Sequence, residues 1–169
     1  MYSNLSFLQV RKRDAVVRVK GKSGILISNA VVDIKYKKHT FPLGSCINSY
    51  SLNLDFFVNN FNWAVFENEI KWGWTEKEKG KVTYTEADEL CNLCIDHGIL
   101  MRGHCIFWEA EDAVQPWVKE LDGNELAIAL QNRLSDVVSR FCGKFEHYDV
   151  NNEMLHGSFY KDRLGEEIL

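Results

Sequence analysis

The sequence predicts an α/β fold organised on a parallel sheet, and three observations carry that expectation. Four short apolar runs are separated by segments with helical spacing, the runs lack the in-and-out polar alternation of a solvated sheet, and three of the four end in acids, amides, histidine or tryptophan. Apolar strands that alternate with helices indicate a parallel sheet buried on both faces and joined by right-handed βαβ crossovers. In such folds, polar residues at the carboxyl ends of strands face the mouth where ligands bind.

Residues 15 to 36 come first and alternate apolar and polar around glycines, as in Val17-Arg18-Val19 and Val31-Val32-Asp33-Ile34, which suggests short extended segments. Phe41 to Ile47 is a compact apolar run, the first candidate buried strand. Leu54, Phe57, Val58 and Phe61 then give residues 53 to 61 helical spacing, and Trp63 to Glu67 is a second strand ending in Glu67-Asn68-Glu69. Tyr84 to His97 is a helix, with Thr83 or Thr85 available as its cap and Gly98 as its stop. Ile99 to Trp108 forms a third strand. The longest helix runs from Asn124 to Phe141, carrying Leu126, Leu130, Leu134, Val137 and Val138 at three- and four-residue steps, and Gly143 ends it. The fourth strand, Phe145 to Val150, leads into Asn151-Asn152-Glu153-Met154.

Composition removes several function classes. The 169 residues, 46% hydrophobic and 26% charged, suffice for one globular unit with a sizeable core. A net charge of −4 gives no general attraction for nucleic acid, and the basic cluster Arg11-Lys12-Arg13 is cut off by Asp14 and reads as a solvated helix or linker. No apolar run approaches the roughly 18 residues of a membrane helix, and the first ten residues do not have the pattern of a signal peptide. No glycine-rich phosphate fingerprint follows any strand. Five cysteines leave at least one thiol unpaired within the chain. Cys91 and Cys94 form a CxxC, but they share a helical stripe with Ala87, Leu90 and Ile95, so both read as core packing in mid-helix. A redox motif would open a helix, and a zinc site would need a second ligand pair.

The chemistry gathers at the strand ends: Glu67-Asn68-Glu69 with Lys71-Trp72, His104 with Trp108-Glu109, and Asn151-Asn152-Glu153. Carboxylates, amides and indoles together suit a sugar cleft, because hydroxyls need polar partners and pyranose faces need aromatic platforms. His104 and Trp108, four residues apart on one strand, have the same parity and can face the same mouth. Taken alone, Asn151 to Glu153 fit a turn or helix cap as well as catalysis, and a single strand-end histidine is commonly a core residue.

Phe66-Glu67-Asn68-Glu69-Ile70-Lys71-Trp72, Arg102-Gly103-His104-Cys105-Ile106-Phe107-Trp108 and Asp149-Val150-Asn151-Asn152-Glu153-Met154 resemble, in order, the signatures of glycoside hydrolase family ten. These are the endo-1,4-β-xylanases, with the plant-type branch nearest, and the similarity runs from about residue 40 to residue 165. It implies an α/β fold of the (β/α)8 TIM-barrel type, of which this chain carries about the first four β/α units. Residues 1–40 would be a lead-in with short extended segments, and residues 41–169 the N-terminal half of the catalytic domain.

The resemblance implies retaining hydrolysis of internal β-1,4 bonds of xylan, without a metal or other cofactor. Glu153 would be the general acid/base and Asn152 its sugar-binding neighbour, with Glu67, Asn68 and Lys71 on the adjacent xylose and His104 and Trp108 lining the same subsite. Most bacterial and fungal members have histidine where this chain has Glu109, which receives no role. Retention needs a second carboxylate about 5 to 5.5 Å away. In the family that nucleophile lies on the seventh strand, so the 169 residues alone are expected to be inactive and to self-associate through exposed half-barrel edges. The partners expected are xylan or xylo-oligosaccharide, with neither nucleic acid nor membrane, and the location is extracellular or in the cell wall. The alternative is a non-catalytic xylan-binding or interaction fragment.

Overall fold

The computed structural model describes residue 14, residues 16–35 and residues 40–165. The cluster Arg11-Lys12-Arg13 and the first ten residues lie outside them. The chain divides into two compact units, Met1–Lys37 and Lys38–Leu169. In the first, Lys20 and Leu26 form an antiparallel bridge closed by Ile27 N–H donating to the Val19 carbonyl at 3.0 Å. Gly24, at φ +80°, supplies the turn.

The second unit opens with β1 (Gly44–Ile47) and α1 (Leu54–Asn60), whose cap is the Asn53 side chain accepting from Phe56 N–H. β2 (Trp63–Phe66), α2 (Trp72–Thr75), α3 (Thr85–Asp96) and β3 (Leu100–Gly103) follow. Then come β4 (Phe107–Trp108), a 3-10 turn (Glu111–Ala113), α4 (Pro116–Lys119), α5 (Gly123–Arg140), β5 (His147–Tyr148), β6 (Asn151–Asn152) and α6 (Phe159–Leu164). The strands β1-β2-β3-β5 form one sheet in that order, every pair parallel, and β4 pairs with β6, also parallel. Sequential parallel neighbours joined by helices are the opening turns of a (β/α) barrel.

The strands after α3 and α5 differ from expectation. Ile99 to Trp108 is not one strand but β3 and β4, broken at Cys105, whose φ is +69°. The fourth strand breaks in step, giving β5 and β6 around Asp149 and Val150. Backbone bonds cross the break: Asp149 N–H donates to the Gly103 carbonyl at 2.9 Å, Ile106 N–H to Asp149 at 3.1 Å and Phe107 N–H to Val150 at 2.9 Å. Pairing therefore continues through the kink on both strands together, which is why hydrophobic patterning alone did not reveal it.

The sheet is covered on one face only. Ile47, Ala64, Phe66 and Met101 point into a core with Phe57, Leu90, Cys91, Cys94, Leu126, Leu130, Val137 and Phe141. On the other face, register places Cys46, Val65, Arg102 and His147 in one row, all half-buried or exposed. A sheet buried on both faces is thus not what residues 40–165 build. Cys91 and Cys94 are fully buried in mid-helix, as their stripe predicts. α3 has no side-chain cap, whereas α5 begins with Asp122 and Glu125 in a reciprocal capping box.

Candidate active site

The ends of the strands bring most of the sequence-predicted polar residues into three connected groups. The first is the arm after β2. Glu67 Oε2 accepts from Asn48 Nδ2 at 2.7 Å and from Tyr50 OH at 3.1 Å. Those two donors, Asn48 first, hold its carboxyl below the usual carboxylate range, with Lys71 adding to the effect. Asn68 Oδ1 accepts from Lys71 Nζ at 3.0 Å, and that ammonium lies 4.6 Å from the centre of the Trp108 ring. Glu69 differs from Glu67 although the sequence makes them look equivalent. It is buried, and its carboxylate accepts the backbone N–H groups of Ser49 and Asn68 at 2.8 and 2.9 Å, which spends it on shaping the arm.

The second group sits at the kink. His104 Nδ1 lies 2.9 Å from Asp149 Oδ2, and Arg102 reaches the same oxygen at 3.0 Å. A neutral His104 donating through Nδ1 to Asp149 leaves Nε2 for a ligand. Same-strand parity does not relate His104 to Trp108, because the kink at Cys105 falls between them. Cys105 itself is no nucleophile, since burial pushes its thiol up to about 12.

The third group carries Glu153. This residue has φ +58° and, like Cys105, is a non-glycine residue in the left-handed region. Its carbonyl accepts His156 N–H at 2.8 Å and Gly157 N–H at 3.1 Å, closing a tight turn. Its side chain is exposed, with Oε2 accepting the Trp108 indole N–H at 2.7 Å. Asn152 is half-buried beside it, its carbonyl accepting from Glu109 N–H at 3.1 Å. Glu109 is 2% exposed, and both its oxygens are engaged, Oε1 by Asn151 Nδ2 and Oε2 by Tyr160 N–H, each at 2.9 Å.

Sequence reasoning missed Asn48, Tyr50, Arg102, Asp149 and Glu109. Asn48 and Tyr50 lie just past the end of β1, so the rule that polar strand ends face a ligand would have found them had the first strand been followed beyond Ile47. Arg102, Asp149 and Glu109 stand inside the quoted motifs or at a polar strand end, but their roles rest on partners 42 to 51 residues away, as in His104 with Asp149 at 45 and Glu109 with Asn151 at 42.

An exposed carboxylate oriented by an indole, whose ring also receives a lysine ammonium, can exchange a proton with a hydroxylated ligand. Among the described residues no group of three or more His, Cys, Asp or Glu is arranged to hold a metal ion.

Residues 32–168 match the family model for glycosyl hydrolase family 10. Endo-1,4-beta-xylanase 3 of Arabidopsis thaliana is 51% identical over 167 residues, covering 95% of this chain and 22% of its own length. Anti-sigma-I factor RsgI6 of Acetivibrio thermocellus is 48% identical over 164 residues, with coverages of 95% and 22%. A family 10 structure from Paenibacillus barcinonensis superposes with a TM-score of 0.65 at 22% identity, over 75% of this chain and 42% of that one. The chain thus spans about a fifth of the length of the two sequence relatives and less than half of that structure, and its sheet and helices coincide with part of the family's (β/α)8 barrel. On the family model and on this degree of identity, the chain belongs to glycosyl hydrolase family 10.

Proposed function

We propose that these residues supply the sugar-binding arm and the general acid/base of a retaining endo-1,4-β-xylanase acting on internal bonds of xylan or xylo-oligosaccharides. The observation that carries the reading is Glu153: an exposed carboxylate on a strained turn, aimed by the Trp108 indole at 2.7 Å and flanked by Asn152. Glu67, Asn68, Lys71, His104 and Trp108 hold the adjacent sugar in this reading. The nucleophile comes from outside these residues. The family resemblance places it on a seventh strand, about 5 to 5.5 Å from the acid/base as retention requires. The 169 residues prepared alone are inactive in this reading, and the wall or the extracellular space is where such a substrate lies.

The test is Glu153→Gln in the natural full-length protein. We expect kcat/KM on xylan to fall by about 10²- to 10⁴-fold, with far less change on aryl xylosides whose leaving groups need no proton. Unchanged hydrolysis of xylan by the variant removes Glu153 from the chemistry. A second reading, a non-catalytic carbohydrate-binding or interaction fragment, draws on the 48% identical relative named as an anti-sigma-I factor. Binding of xylo-oligosaccharide by a full-length protein without turnover would favour it.

A further inference from the structure

We propose that Glu109 is a positioning residue that fixes the Glu153 carboxylate at the angle acid catalysis requires; this rests on the xylanase reading above. Four contacts converge on it. Its two carboxylate oxygens accept Asn151 Nδ2 and Tyr160 N–H, its backbone N–H donates to the Asn152 carbonyl, and its own carbonyl accepts Phe159 N–H at 3.2 Å. The segment that carries Glu153 is therefore anchored to this one residue on both sides, at Asn151 and Asn152 before it and at Phe159 and Tyr160 after it. Gly157 completes the clamp. A Cβ there would lie 2.2 Å from the Glu109 carbonyl oxygen, so the loop packs against the Glu109 backbone at a distance only glycine allows.

A buried carboxylate is a costly anchor unless its charge is satisfied, and two N–H donors at 2.9 Å satisfy it. The Tyr160 N–H can only donate, whereas the Asn151 amide can turn and offer its oxygen, so a glutamine at 109 could still serve both partners. Methionine at 109 keeps nearly the same volume and removes both acceptors, leaving the Asn151 amide and the Tyr160 N–H without their anchor. Trp108, which precedes Glu109, donates its indole N–H to Glu153, so the same short strand holds both the backbone and the carboxylate of the proton donor.

The experiment compares Glu109→Met with the parent natural full-length protein on xylan and on a xylobioside with a good aryl leaving group. Misplacing a reacting group by about 1 Å can lower a rate about 100-fold. We expect kcat/KM on xylan to fall roughly 10- to 100-fold while kcat/KM on the activated xylobioside changes less than about 3-fold, because that substrate needs no proton donor in its first step. Asn151→Ala, which removes one anchor and leaves the other, should show the same leaving-group signature at smaller size, and it keeps the test open if the methionine variant does not fold. Equal losses on both substrates, no loss on either, or failure of both variants to yield folded protein overturns the proposal. A parent inactive on every substrate would instead overturn the xylanase reading itself, an outcome distinct from an active parent matched by its variants.

Discussion

Arg133 is a buried cation that ties the site's first arm to the longest helix, and replacing it gives a prediction that can be worked in numbers. It is 4% exposed, and among the described residues no carboxylate pairs with it directly. Its guanidinium donates to the Ile70 carbonyl, to Thr75 Oγ1 at 3.0 Å and to Tyr84 OH at 2.7 Å, and Tyr84 passes the charge on by donating to Asp136 at 2.6 Å. Burial lowers its pKa, which marks the charge as poorly solvated. In Arg133→Met all three acceptors lose this donor, but Thr75 still donates to the Lys71 carbonyl and Tyr84 to Asp136, so the Ile70 carbonyl is the one most exposed by the loss. An orphaned buried acceptor costs about 1–3 kcal/mol, partly offset by removing the desolvated charge, which leaves a net loss of about 1–2 kcal/mol. Arg133→Ala adds a cavity and should cost about 3–5 kcal/mol. Urea denaturation of the natural protein, followed by circular dichroism, reads both. Because Ile70 precedes Lys71, the loss should also appear as a raised KM on xylo-oligosaccharides with a smaller change in kcat. If alanine costs under about 0.5 kcal/mol, or matches methionine, the guanidinium is not the link.

Three further outcomes follow from particular groups. Asn48→Ala should move the Glu67 pKa back up toward the usual carboxylate range, as read by NMR titration. Since the folded-state pKa is the lowered one, the stability linked to Glu67 is present above the unfolded value and fades as pH falls through the folded one, so the variant should lose part of that acid-side dependence; an unmoved titration would exclude Asn48 as the cause. The thiols of Cys91, Cys94 and Cys105, pushed up to about 12 by burial, should resist maleimide near neutral pH while Cys46 on the open sheet face labels in the isolated 169 residues and is protected in the natural protein, with Cys46 labelling equally in both counting against barrel closure over that face. The 169 residues alone should neither hydrolyse xylo-oligosaccharides nor run as a monomer in size-exclusion chromatography, and turnover by a monodisperse monomer would return the nucleophile to this chain.

Most of the topology was legible because apolar runs and helical stripes are properties of contiguous residues. The strand order, the helices α3 and α5, and the core placement of Cys91 and Cys94 all follow from periods readable within about a dozen positions. What escaped was set by contacts distant in sequence or by single backbone angles. Gly103 and His104 read as continuous strand, yet Gly103 is where the Tyr148 ring lies against the backbone, at 2.3 Å from where a Cβ would be, and two residues later Cys105 turns to positive φ. Glu67, Glu69 and Glu109 are chemically alike in the sequence. Their separation into a half-buried candidate ligand and two buried anchors depends on donors from other segments, at Asn48, Ser49 and Tyr160.

The two non-glycine residues at positive φ among the described residues show how the candidate site is held. Such a conformation costs on the order of 1–3 kcal/mol and persists where its surroundings over-determine it. Cys105 is buried with its Sγ against the Phe107 carbonyl at 3.5 Å, and the next N–H, that of Ile106, is bonded to Asp149. Glu153 has two N–H groups on its carbonyl and an indole on its carboxylate. Glycine would relieve the strain at 105, and nothing packed around the position demands a large side chain. A buried Cβ there, however, restricts the backbone more than glycine would, and the kink it fixes is what leaves His104 against Asp149 and Trp108 within reach of Glu153. At 153 the strained turn carries an exposed carboxylate. If Glu153 is the proton donor proposed above, the strain at that position is the consequence of placing that side chain on a turn tight enough for Glu109 to hold from both ends.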